Sequence, residues 1–195
     1  LTYKGKEDTI EDILYPLLYS IIKKQASSNA DSTEHVVLDG SLMCFHRLLM
    51  KATAPIDNTY LDVFWDMARR YSTYVNAQVE SQYQTIISLC YILSVIGNYE
   101  HAPSEDIARF IAQMLKVELN ESTEIFYDAV LNVVMDLFAE PDHNDLLQST
   151  GLYKLVKDKY KVLLTYAVDH IREDDTTLED LINNLQHYTS YKTGQ

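Results

Sequence analysis

The sequence predicts an all-α fold of antiparallel helix pairs, about eight helices in all. Apolar residues recur at three- and four-residue spacing in one segment after another, as in Ile107, Phe110, Ile111 and Met114. Period-two alternation is absent, and the 195 residues include only five glycines, so nothing reads as a β-hairpin. The connectors are short and carry the breakers, with Pro55, Pro103 and Pro141 each falling in one.

Residues 1–7 are polar and are expected to be a flexible end. Asp8 with Glu11 three residues later has the spacing of a capping box, and Ile10, Ile13, Leu14, Leu17 and Ile21 follow at helical spacing. Pro16 lies inside this helix and is expected to kink it or to mark a fresh start. Asp31 and Glu34 open a second helix whose inner face is Leu38, Leu42, Phe45, Leu49 and Ala52; Gly40 within it suggests a close helix approach. Thr59 and Asp62 start a third, with Leu61, Phe64, Ala68, Tyr71 and Val75 inward and Asp62, Asp66, Arg69, Arg70 and Thr73 toward solvent.

After a weak boundary at 76–78 comes the most apolar run of the chain, Ile86 to Ile96, closed by Gly97. A helix that is apolar on every side needs neighbours on every side, so this one is expected at the centre. Eleven residues are too few to cross a bilayer. Ser88 and Ser94 within it are expected to bond their own backbone. Ser104 caps a fifth helix, with Glu105 and Asp106 suited to its positive end. The sixth carries Phe126, Val130, Val133 and Leu137, broadened by Ile125 and Val134, and a short turn at 145–149 leads to Gly151. A seventh runs through Val156, Tyr160, Leu163, Ala167 and Ile171; an eighth has Leu178, Ile182 and Leu185, before a flexible polar tail over 190–195.

The helical core thus spans residues 8–189 of a single domain over 1–195. Its start at Leu1 and its polar tail are compatible with a segment of a longer protein. Paired, the helices begin near residues 9, 59, 104 and 152, close to the roughly 40–47-residue period of HEAT and armadillo units. Over residues 9–189 the chain resembles HEAT/armadillo-type α-solenoids in helix length, pairing and polar turns, without a repeat signature in the residues themselves. The resemblance implies stacked helix pairs whose continuous surface binds extended peptides or other subunits. A compact helical bundle of the same size is the alternative architecture.

Composition narrows the function. Sixteen basic against 29 acidic residues give a net charge of −13, which argues against binding to nucleic-acid backbones. Cys44 and Cys90 both lie in apolar helical stretches and are expected to be buried free thiols of an intracellular protein, cytoplasmic or nuclear, with no signal peptide or membrane span. Asn120-Glu121-Ser122 matches a glycosylation acceptor, a pattern common by chance.

Chemistry is sparse. None of the six histidines (His35, His46, His101, His143, His170, His187) pairs with another at helical spacing. No nucleophile elbow or glycine-rich phosphate loop is present. Glu173, Asp174, Asp175, Glu179 and Asp180 are the one cluster suggestive of a divalent metal, which makes an all-helical metal-dependent enzyme the rival reading; capping and a solvated turn account for them as well.

The expectation is therefore a non-enzymatic interaction scaffold or adaptor, without cofactor, small-molecule substrate, nucleic acid or membrane, that binds protein partners. Lys154, Lys157 and Lys161 share one helix face, with Lys159 nearby, and Arg69 and Arg70 form a smaller basic spot. Lys154, Lys157, Lys161, Arg69 and Arg70 are the candidate partner-binding residues, since they could hold an acidic segment; a solvated helix face is the plainer explanation. The fifteen tyrosines are expected to fill core with their rings and send their hydroxyls outward.

Overall fold

The computed structural model describes residues 10–27, 32–118 and 120–159, and every regular element among them is helical. The principal helices are α1 (Ile10–Ser27), α2 (Ser32–Leu49), α3 (Asp62–Tyr71), α4 (Asn76–Glu80), α5 (Tyr83–Ile96), α6 (Ser104–Met114), α7 (Glu124–Ala139) and α8 (Asn144–Ser149). Residues 152–159, here α9, are helical as well. The expected eighth helix, and the expected seventh beyond residue 159, lie outside the described residues.

α1 is continuous through Pro16, whose carbonyl accepts the Ser20 hydroxyl at 2.9 Å. Proline at the seventh position costs one backbone hydrogen bond without ending the helix. The weak boundary at 76–78 is a helix of its own, α4, which ends before Ser81 and buries Val79. The turn expected at 145–149 is α8. Ahead of α3, Asp57 caps a single turn (Asn58–Tyr60) by accepting the Thr59 backbone N–H at 2.8 Å. The Thr59 hydroxyl adds a second bond, and these two hold the Asp57 carboxyl below its ordinary range. Pro103 occupies the position just ahead of α6, and Ser104 is its first helical residue.

The helices pack in two rows. α1, α3, α6 and α8 follow one another in the first; α2, α5 and α7 follow one another in the second. Direction within a row is fixed by side-chain links that advance together. Asp39 and His46 of α2 meet Thr85 and Tyr91 of α5, so these helices are parallel. Tyr83 and Tyr91 of α5 meet Phe126 and Asp128 of α7 in the same sense. In the first row Lys23 reaches Asp62 and Arg70 reaches the Ala26 carbonyl, while Arg69 reaches Asp106 and Gln113 reaches the Tyr74 carbonyl. These links join residues 37 to 46 apart in sequence. Tyr15, early in α1, packs on Phe45, late in α2, so the two rows are antiparallel.

One apolar cluster fills the space between the rows. α5 lies at its middle and buries Ile86, Leu89, Cys90, Ile92, Leu93 and Ile96, each large aliphatic side chain worth about 1.5–3 kcal/mol once removed from water. An aromatic seam of Tyr15, Phe45 and Phe64 ties α1, α2 and α3, with Phe45 and Phe64 4.7 Å apart edge to face.

Several faces differ from the sequence pattern. In α1 the buried line is Tyr15, Ile22 and Ala26, whereas Ile13 and Leu17 are more than half exposed. The tyrosine ring takes the inward position that aliphatic spacing alone assigns to its neighbours. Val75 lies beyond the end of α3 and is exposed, as is Ile125 on the outer side of α7. Gly40 has open space around it, so no close helix approach explains it. Cys44 is exposed, because it sits on the side of α2 opposite the core line through Leu38, Leu42 and Leu49; Cys90 alone of the two is buried, and burial pushes its thiol pKa up.

Candidate functional site

The outer face of the α2–α5–α7 row is the part of the molecule with unspent chemistry. Tyr91 stands at its centre. Its ring stacks on His46 of α2 at 5.7 Å, and its hydroxyl donates to the Asp128 carboxylate of α7 at 3.1 Å. One side chain therefore bridges all three helices. Desolvation, followed by the nearby Asp128 charge, pushes the Tyr91 hydroxyl up to about 12, so it stays a donor at all ordinary pH. Ser94 bonds the Tyr91 carbonyl at 2.9 Å, as serines in apolar helices do.

Two seams flank Tyr91. On the α2 side, Asp39 accepts the Thr85 hydroxyl at 2.6 Å. Its carboxyl is raised by desolvation, against the lowering effect of that hydrogen bond. His46 is half-buried and its pKa is lowered by desolvation, so the neutral ring is favoured. On the α7 side, Asp136 is half-buried and desolvation raises it to about 6. None of Asp39, Asp128 and Asp136 forms an ion pair with another described residue.

The row is also short of cations. α5 carries no charged residue, and α7 carries Glu124, Asp128 and Asp136 with no lysine or arginine. Arg47 is the one lysine or arginine among α2, α5 and α7. The ion pairs between described residues all belong to the other row. Lys23–Asp62 joins α1 to α3, Arg69 pairs with Asp66 and with Asp106 of α6, and Arg109 pairs with Glu105. Beside Asp39, Asp128 and Asp136 the row carries apolar side chains: Met43 on α2 and Met50 (65% exposed) just past its end, next to the exposed Lys51, with Tyr91 and Met135 partly covered.

The lysines and arginines singled out from sequence have different surroundings. Lys154 and Lys157 are exposed on α9, and Lys161 lies outside the described residues. Arg69 is engaged with two carboxylates at 2.7 and 3.1 Å. Arg70 is half-buried and donates to the Ala26 carbonyl and to the Tyr71 hydroxyl, which makes it a tie between α1 and α3. Lys159, passed over as a neighbour of the stripe, points inward instead: its ammonium donates to the Val117 carbonyl and the Tyr127 hydroxyl, both at 2.8 Å.

The acidic cluster at 173–180 lies outside the described residues. Among the described residues no group of three or more His, Cys, Asp or Glu side chains could hold a metal ion, and no helix is long and apolar enough to cross a membrane. A shallow cleft between the connectors 55–58 and 98–101 is open to solvent and lined by Asp57, Asn58, Glu100 and His101 without a buried polar group converging on it.

Sequence reasoning passed over Asp39, Asp128 and Asp136, and placed Tyr91 among the tyrosines expected to fill core with the hydroxyl outward. A signal was present: stretches 71–108 and 117–153 contain no lysine or arginine at all. These stretches contain α5 and α7, so the uncompensated acids of the second row were foreshadowed by where cations are missing.

Fold and face together define an all-helical protein with two antiparallel rows and one acidic face lined by tyrosine and methionine. Comparison with protein-family models, with curated proteins and with solved structures finds no match.

Proposed function

We propose that the protein is a non-catalytic scaffold or adaptor subunit of an intracellular complex, built as an α-solenoid of the HEAT/armadillo type. It binds a segment of a protein partner along its helical-repeat surface. The observation that carries this reading is the parallel register within each row, where successive helices are linked at separations of 37 to 46 residues. Such stacking spreads a continuous outer face across α2, α5 and α7. That face holds carboxylates that no ion pair engages among the described residues, few cations and exposed methionines, a combination more suited to contact than to solubility alone.

Affinity capture with the whole chain as bait, read by mass spectrometry, tests the reading. A protein partner retained at near-stoichiometric abundance is expected. Recovery of nothing above background from any lysate fraction would overturn it. Small-angle scattering tests the architecture separately: an elongated particle is expected, and a globular one would favour a compact bundle.

A further inference from the structure

We propose that the outer face of the α2–α5–α7 row receives a basic amphipathic helix of a partner protein. This inference rests on the scaffold reading and adds the face and the chemistry of what it binds. The partner's apolar side chains would lie on Met43, Met50, Tyr91 and Met135, and its lysines or arginines on Asp128 and Asp136.

Charge decides the occupant. The ion pairs between described residues all sit in the α1–α3–α6 row. The opposite row has acids on α2 and α7, an uncharged α5 between, and two cations, Arg47 on α2 and Lys51 just past its end. An acidic segment would be repelled there, and a purely apolar one would leave Asp136 half-buried with nothing to neutralise it. A cationic group within reach answers that desolvated carboxylate. The apolar component fits as well, because methionine side chains adapt to varied partners and tyrosine gives rigid contact area with a polar end.

Dimensions agree. Helices packed at about 8–10 Å put the outer edges of α2 and α7 ~20 Å apart. A partner helix of ~14 residues, at ~1.5 Å per residue, spans that distance. Asp128 and Asp136 are two turns, about 12 Å, apart along α7, so two long basic side chains near the end of the crossing helix, splayed to either side, reach both.

The test uses the full chain and a fluorescein-labelled peptide of leucine and lysine at amphipathic helical spacing, about five turns long. A control peptide keeps the leucines and replaces each lysine by glutamate. Fluorescence anisotropy at physiological ionic strength should show binding of the lysine peptide and none of the glutamate peptide. The double variant Asp128→Asn, Asp136→Asn removes two of 29 acidic residues. Diffuse attraction to the acidic protein would scarcely change, so a tenfold or greater loss of affinity locates the peptide on this face. Met50→Lys, at an exposed position where folding is unaffected, should weaken binding comparably and guards against a folding defect in the double variant. Equal binding of the two peptides, or unchanged affinity in both variants, would overturn the proposal. If analytical ultracentrifugation shows a dimer that Met50→Lys disperses, the face is occupied by a second copy and the proposal also fails. The two readings fail separately. A partner captured by the wild type and held equally by the variants leaves the scaffold reading intact and removes this face from it.

Discussion

Replacing Asp136 with asparagine should stabilise the protein at neutral pH and leave it unchanged in acid. The carboxyl is half-buried on α7, and desolvation raises it from 3.8 to about 6. The folded state therefore holds a proton that the unfolded chain has already released between those two values. That contribution to stability is complete below pH ~3.8 and is lost as pH rises through about 6. At ~1.4 kcal/mol per pH unit the displacement corresponds to ~3 kcal/mol. The site is only half-buried, so solvent screening reduces this to ~1 kcal/mol. The asparagine side chain carries no charge to desolvate at any pH. Thermal melts of wild type and Asp136→Asn at pH 4, 5, 6, 7 and 8 read the effect directly. The variant's advantage should grow from nearly zero at pH 4 to about 2–4 °C at pH 7–8, as ~1 kcal/mol gives for a chain of this size. A difference that does not vary with pH would refute the reasoning. So would a wild type that gains on the variant as pH rises, because that would mean a cation within the fold already pairs with Asp136.

The inward turn of Lys159 separates it from its neighbours: Lys159→Ala should cost about 1 kcal/mol in urea unfolding by removing its bonds to the Val117 carbonyl and the Tyr127 hydroxyl, which keep each other as partners, while Lys157→Ala at an exposed site should show no measurable change. Gly151 follows α8 with φ +74°, so Gly151→Ala should lower stability by about 1 kcal/mol in the same assay through the strain of a left-handed residue. One cysteine should react with a maleimide in the native protein and the second only after denaturation, with mass mapping placing the fast site at Cys44 and the slow one at Cys90. Phe64→Ala should remove the seam that joins α2 to α3 at a cost of ~3–5 kcal/mol, measured as a shift of the cooperative melt toward lower temperature.

The all-helical class was legible because it rests on spacing, and spacing survives local errors. Helix α5 was readable for the same reason: a run apolar on all sides has few other places to go. What the pattern misassigned were inner and outer faces. In α1 the aliphatic residues Ile13 and Leu17 look like core by spacing, yet Tyr15 and Ile22 take the inward arc. Tyrosine is amphipathic, so a stripe drawn on aliphatics alone rotates away from it. Cys44 shows the same limit, since an apolar neighbourhood in sequence says little about which side of a helix faces out. The site was less legible than the fold. Lysines at helical spacing draw attention because a positive spacing is easy to see. The absence of lysine and arginine from 71–108 and 117–153 is equally physical but is a property of a stretch, and it gains meaning only once α5 and α7 stand side by side. The bridge from His46 through Tyr91 to Asp128 crosses three helices and has no local trace.

The two rows divide the work of stability and exposure unevenly. Exposed pairs such as Arg109–Glu105 are individually weak, and they accumulate where Lys23, Arg69 and Arg109 stand. The same cations on α5 or α7 would have cancelled the charge of Asp128 and Asp136 and offset the desolvation of a half-buried acid. A sequence optimised for folding alone would put them there, since such surface-charge corrections are among the easiest stabilising changes to find. Their absence leaves a free energy of about the size argued for Asp136, which a basic partner of the kind proposed would recover on contact and water does not. The uneven charge of the rows is thus the physical link between how this chain folds and what its outer face is suited to hold.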